Sequence, residues 1–149
     1  MNDVERLLAI EEIKQVKAKY FWGLDHKDWE LWRREVWAAD GELHVPEFQA
    51  EPFRGFDTVL AYVSESVGDQ VSVHHGHMPI IEFTSDTTAK VVWAMEDRLF
   101  RTGEFPLYDG SQHLHGWGHY RETYEKTAAG WRIKTSQLTR LRVEMTKVV

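Results

Sequence analysis

Leu7, Ile10, Ile13, Val16 and Tyr20 recur at steps of three or four, the spacing of one apolar stripe along a helix. Asn2 or Asp3 can cap its start, and Glu11, Glu12, Lys14 and Lys17 fall on the side expected to meet water. The pattern runs to about Leu24, with Gly23 weakening the last turn. A second helix, capped by Asp28, carries Trp29, Trp32 and Val36. Asp40-Gly41 reads as a turn before a short strand at 42–45, and 46–52 as a loop between prolines. Asp57 can cap a third helix with Val59, Leu60, Val63 and Val67 inward and Gly68 as its stop.

Beyond Gly68 the period changes to two. Val71-Ser72-Val73-His74 opens a strand, and Ile80-Ile81-Glu82-Phe83 continues it or starts another. If Val71 and Val73 face the helices, Ser72 and His74 face the other way and His75 opposes them. Residues 89–100 form a long strand in which Val91, Trp93, Met95, Asp97 and Leu99 share one face. A loop is expected at 101–112. The next strand, at 116–126, alternates Trp117, His119, Arg121 and Thr123 against Gly118, Tyr120, Glu122 and Tyr124. Ala129-Gly130 closes a hairpin into a last strand from Trp131 to about Val143, whose Arg140 and Arg142 are read as a solvated face. Helices first and then a run of antiparallel strands predict an α+β fold, with a curved sheet wrapped over the helices.

The 149 residues are expected to form a single domain, 1–149. Seven Trp, five Tyr and seven Phe are an unusually large aromatic share; core filling and an oligomer interface account for most of them, and such rings also line pockets for flat apolar ligands. The net charge of −6, without a basic cluster, argues against a nucleic-acid partner. There is no cysteine for disulfide or thiol chemistry. No membrane partner is expected, because no apolar run approaches the roughly 20 residues of a span. The first residues lack a basic region followed by an apolar one, so no signal peptide is expected, and the location implied is cytoplasmic.

The helix end Tyr20-Phe21-Trp22-Gly23-Leu24-Asp25, the strand end Val73-His74-His75-Gly76, the Asp40-Gly41 step, the strand Gly118-His119-Tyr120 and the hairpin Gly130-Trp131-Arg132-Ile133 together resemble the SnoaL-like branch of the nuclear transport factor 2 superfamily. The resemblance implies a cone-shaped α+β barrel: three N-terminal helices on a strongly curved, mostly antiparallel sheet around a deep pocket. Scytalone dehydratase, bile acid 7α-dehydratase and the hexachlorocyclohexane dehydrochlorinase belong to that branch. There an Asp at the first helix end and a His on the sheet carry an elimination, without cofactor or metal. Carried over by motif, the catalytic residues are Asp25 and His74, joined by Tyr20 and Asp97 on the pattern of the bile acid enzyme. The dehydrochlorinase has an Arg on its last strand, where Thr135-Ser136 stands here.

Each residue also has a structural reading. His75 remains open as the base beside His74. Tyr20 lies on the buried stripe and is either core or an oxyanion donor. Asp97, on an apolar face, must reach the cavity or pair with a cation such as Arg121. His75 with His77, or His113 with His115, has the two-residue spacing of a chelating pair, but no carboxylate or Cys recurs at a ligand spacing, and no metal is expected. Pocket walls are sought in Trp22, Trp93, Met95, Phe48 and Phe53, with polarity from His75 and His119.

The function expected is a cofactor-free dehydratase removing water from a small cyclic, largely apolar hydroxy-carbonyl compound. An isomerase of the ketosteroid type, a dehydrohalogenase, or a non-catalytic binder of hydrophobic ligands are the alternatives. A homo-oligomer, dimer or trimer, is expected from strands rich in alternating aromatics.

Overall fold

Asn2 opens the first helix with a reciprocal cap: its side chain accepts from the Glu5 N–H, and the Glu5 carboxylate accepts from the Asn2 N–H. In the computed structural model, which describes residues 1–147, this helix, α1, runs Asp3–His26. Its buried face follows Ala9, Ile13, Val16, Lys17, Tyr20 and Leu24. Two expectations are corrected here. Leu7 stands in solvent, because the buried arc starts from Ala9. Lys17 is fully buried rather than on the wet side.

Lys27 closes α1 in a left-handed conformation (φ 59°), and Asp28 caps α2, Trp29–Leu31, which passes into one π turn at Trp32–Val36. Trp32 is buried, stacks on Tyr20 and donates its indole N–H to the Tyr20 carbonyl (2.8 Å). A Cβ at Gly23 would strike that indole ring, so the glycine gives Trp32 its place. The third helix, α3 (Phe56–Val67), turns Val59, Val63 and Val67 inward and stops at Gly68 as expected. Its cap is Gly55 rather than Asp57, which lies in the first turn and pairs with Arg33 at 2.7 Å.

Six strands form one sheet: β1 Trp37–His44, β2 Phe53–Arg54, β3 Val71–Ser85, β4 Thr88–Phe100, β5 His113–Thr127 and β6 Gly130–Thr146, in the order β2-β1-β6-β5-β4-β3. All neighbours are antiparallel except β1 and β6. The sheet curves over the helices and does not close, since β2 and β3 are its two edges. Asp40-Gly41 lies inside β1 rather than in a turn. The pairing of β1 with β6 shifts register between Trp37 and Glu42, and this irregularity absorbs it. Residues 71–85 are one strand with a register shift between His77 and Ile80.

The last strand changes face twice. Trp131 and Ile133 point inward. A register shift at Thr123/Tyr124 then leaves Lys134 unpaired and puts Ser136, Leu138 and Arg140 on the inner face. A second shift, between Trp117 and Gly118, leaves Leu141 unpaired and moves the inner face to Val143 and Met145. Among the described residues no helix is long and apolar enough to cross a membrane.

Candidate active site

Asp25 occupies the last turn of α1, where the negative end of the helix dipole disfavours a carboxylate. Three donors on β3 offset this. The His74 main-chain N–H reaches Oδ2 at 2.9 Å, the Ser72 hydroxyl reaches Oδ1 at 3.0 Å, and His74 Nδ1 lies 2.6 Å from Oδ1. Lys27 Nζ donates to the Ser72 Oγ at 2.9 Å, which directs the serine proton toward the carboxylate. With Nδ1–H given to Asp25, the free lone pair of His74 is on Nε2. Ser72 and His74 are both buried, whereas Val71 is exposed and Val73 half-buried, so of the two facings open to this strand it is the polar pair that turns inward. The edge strand turns its polar pair toward the helix because Asp25 waits there.

His74 opens on a cavity of about 550 Å³ between the sheet, α1 and α3. Its walls are apolar, with Leu24, Leu43, Val63, Leu114 and Leu138 contributing. Its polar groups are Tyr20, Tyr120, His74, Asp97 and Arg140 near the dyad, Arg101 just beyond the end of β4, and Glu47, Tyr62, Ser66 and Tyr108 elsewhere on the lining. Asp97 lies directly across from His74 in the β3–β4 ladder. It is buried and gripped by the Arg140 guanidinium through two bonds of 2.8 Å. Asp97 therefore reaches the cavity and is paired, though with Arg140, not with Arg121, which is exposed on the outer face. A Cβ at Gly116 would fall on both charged groups, so glycine there makes room for the pair. Burial pushes the Tyr20 and Tyr120 hydroxyls well above their ordinary range, so both stay protonated.

The other residues sought in the sequence fall elsewhere. Phe48 lines the cavity mouth, and Phe53 stacks behind it on Tyr62 (ring centres 4.1 Å apart). Trp93 and Met95 are buried in the main core rather than on the cavity wall. Trp22 is exposed and stacks on His26 beside a separate crevice behind the dyad, which His75 also lines. His75 points to solvent and His119 sits half-buried on the outer face, so neither shares the cavity with His74. His115 Nε2 lies 2.6 Å from a Glu96 carboxylate oxygen. Among the described residues no group of three His, Cys, Asp or Glu is placed to hold a metal ion.

The family model described as SnoaL-like domain matches residues 5–137. The chain belongs to the SnoaL-like family. Solved structures agree on the nuclear transport factor 2-like fold. One is the type 3 hexachlorocyclohexane dehydrochlorinase from Novosphingobium barchaimii, 17% identical, covering 99% of this chain and 97% of its own, with a TM-score of 0.81. A second, from Novosphingobium aromaticivorans and provisionally assigned as a scytalone dehydratase, is 24% identical over 100% and 94% of the two chains, TM-score 0.79. A third, also from Novosphingobium aromaticivorans, is described as nuclear transport factor 2-like with a cystatin-like fold; it is 21% identical over 93% and 85%, TM-score 0.72. At these identities the likeness shows the fold.

Two features of this SnoaL-like site escape sequence reading. Arg140 sits in a basic stretch that looks solvated, and only the two bulges of β6 bring it inward. An arginine does therefore reach the cavity from the last strand, beyond the Thr135-Ser136 step. The second is a buried cluster under the two tyrosine rings: Lys17 Nζ lies 2.6 Å from Glu122 Oε1, and Ser136 and Tyr124 complete the carboxylate's bonds at 2.9 and 2.7 Å. Nothing local in the sequence couples residues 17 and 122.

Proposed function

We propose that this chain is a cofactor-free lyase, a dehydratase that eliminates water from a small, cyclic, largely apolar hydroxy-carbonyl compound. The observation that carries the reading is the 2.6 Å contact of Asp25 with His74 Nδ1, with His74 opening on an apolar cavity. Asp25 fixes the ring tautomer and stabilises the imidazolium that forms. His74 Nε2 takes the proton from the carbon next to the substrate carbonyl. The C–H electron pair becomes the enolate, and Tyr20 or Tyr120 donates to its oxygen. The enolate then re-forms the carbonyl, the new C=C bond develops, and the C–O bond of the β-hydroxyl breaks. The imidazolium returns its proton to the departing oxygen, which leaves as water, and His74 is neutral again. Asp97, held by Arg140, is placed to accept from the substrate hydroxyl and orient it. The apolar walls exclude water from the enolate.

General acid–base catalysis of this kind is worth about 10²–10⁴-fold. The test uses cyclic β-hydroxyketones, for example 3-hydroxy-1-tetralone, whose dehydration to 1-naphthol is followed by absorbance. His74→Ala should abolish turnover by at least two orders of magnitude while an unreactive ketone such as 1-tetralone still binds. Equal turnover by the variant, or no dehydration of any such ketone by the unmodified protein, rejects the reading in favour of a ligand-binding module or another elimination or isomerisation.

We also infer a homo-oligomer. The outer face and edge of the sheet leave Leu141, Ile80 and Met78 largely exposed, which a lone protomer gains nothing by doing. Sedimentation at micromolar concentration should give a dimer or trimer; a monomer alone would contradict this.

A further inference from the structure

Arg101 directly follows β4 and lines the cavity. Asp97, Leu99 and Arg101 are spaced i, i+2 and i+4 and all line the cavity wall. At ~3.3 Å per residue, the Cα atoms of Asp97 and Arg101 are about 13 Å apart along an extended chain. A second cation thus stands on the cavity wall, two alternate positions along the chain from the Asp97 that faces His74.

The two arginines of the cavity differ in how their charge is answered. Arg140 is matched bidentately by Asp97, with Glu47 at 3.8 Å as a further neighbour. Arg101 has no carboxylate partner among the described residues. Its guanidinium donates instead to the main-chain carbonyls of Val67 (3.1 Å) and Ser66 at the end of α3. Carbonyls at a helix C-terminus orient a guanidinium but carry only part of a negative charge. Two of the five N–H donors of an arginine are used in this way. The Nε–H is buried and has no acceptor among the described residues. Lys27, near enough to feel the Arg101 charge, has the same sign. A purely structural arginine, stapling α3 to β4, would account for the two carbonyl bonds. It would not account for a half-buried cation on the cavity wall whose Nε–H is buried without an acceptor and whose charge has no carboxylate partner among the described residues.

We propose that Arg101 is an anion-binding point, and that the ligand is an apolar ring system carrying an acidic group, a carboxylate or its equivalent, at the end remote from the reacting carbons. This rests on the reading of the cavity as the substrate site. It adds to that reading the ligand's charge and its orientation: the anion sits at Arg101, and the hydroxy-carbonyl end meets His74, Tyr20 and Asp97.

Two fluorescent probes that differ by a single anionic group test this without turnover. They are 1-anilinonaphthalene-8-sulfonate and its uncharged counterpart N-phenyl-1-naphthylamine. The unmodified protein should bind the sulfonate more tightly, with an affinity that falls as salt rises. Arg101→Gln should weaken the sulfonate at least tenfold and leave the uncharged probe within twofold. Arg101→Lys, which keeps the charge but loses the fork that holds α3, should retain most of the preference for the sulfonate. The uncharged probe reports whether the cavity itself survives each substitution. Equal loss of both probes in Arg101→Gln, no loss of either, or loss of the preference in Arg101→Lys as complete as in Arg101→Gln would overturn the proposal. Because the assay reads binding alone, its outcome is independent of whether the dyad eliminates water.

Discussion

In the proposed elimination Asp25 acts through which nitrogen of His74 carries the proton. Both carboxylate oxygens accept from His74, one from the main chain and one from the ring. Asp25→Asn keeps the shape, but turns an amide N–H toward one of these donors. If that group meets the ring, Nδ1 must accept, the proton moves to Nε2, and the cavity faces a donor where it needs a base. Turnover should drop by about 10²–10⁴ with the thermal midpoint changed little, and nitrogen NMR of His74 should report the tautomer exchange. A variant that turns over like the parent would show that the tautomer is irrelevant. The sequence made Asp25 legible, because a carboxylate at a helix C-terminus asks for compensation. It did not say which way His74 points. A two-residue period offers two faces, and the valines beside it do not choose between them. What decides is a polar partner 49 positions away on another element.

At the scale of elements, the least legible feature is the contact between the middle of α1 and the middle of β5. Lys17 lies within the arc set by Ile13, Val16 and Tyr20, yet its residue type argued for water. The cost of burying it is offset by Glu122, and its ammonium lies 3.8 and 3.7 Å from the ring centres of Tyr20 and Tyr120. Removing Lys17 alone (Lys17→Met) strands the carboxylate and should cost about 3–5 kcal/mol in urea unfolding, whereas Lys17→Met combined with Glu122→Gln should cost much less. Equal losses in the two variants would show that the pair is not the stabilising unit. Burial, opposed by Glu122, lowers Lys17 to about 8. An unfolded lysine titrates near 10.4. Between those values the unfolded chain holds a proton that the folded chain has released, so this group's contribution to unfolding free energy rises with pH, by at most about 1.4 kcal/mol per pH unit. Above about pH 10 the sign reverses: Tyr20, Tyr120 and Tyr124, all pushed up by burial, stay protonated while their unfolded counterparts ionise. Unfolding measured from pH 7.5 to 9.5 should show the rise in the parent and not in the double variant. The order of helices and strands was readable from periodicity, because each element is amphipathic over many residues. The facing of β6 was not, because each bulge reverses the parity that a reader must assume.

At the scale of the whole molecule, the sheet bends over α1 and α3 without filling the space between them. A cavity of about 550 Å³ lined mainly by apolar side chains is a standing cost to the fold, and a ligand that fills it recovers part of that cost. A ligand that binds the folded chain and not the unfolded one stabilises by about 2.7 kcal/mol at a hundred times its dissociation constant. For a chain of this length that amounts to a rise of very roughly 5–10 °C in thermal midpoint. An unreactive bicyclic ketone such as 1-tetralone should therefore raise the midpoint, and the rise should be equal in the parent and in Asp25→Asn, because the dyad sits at one end of the cavity and the apolar walls supply the affinity. Leu138→Asp, which puts a carboxylate into the wall between Tyr120 and the mouth, should abolish the rise. A ketone that stabilises the parent but not Asp25→Asn would place the affinity in the dyad instead, and the separation of binding from chemistry on which the elimination mechanism depends would fail.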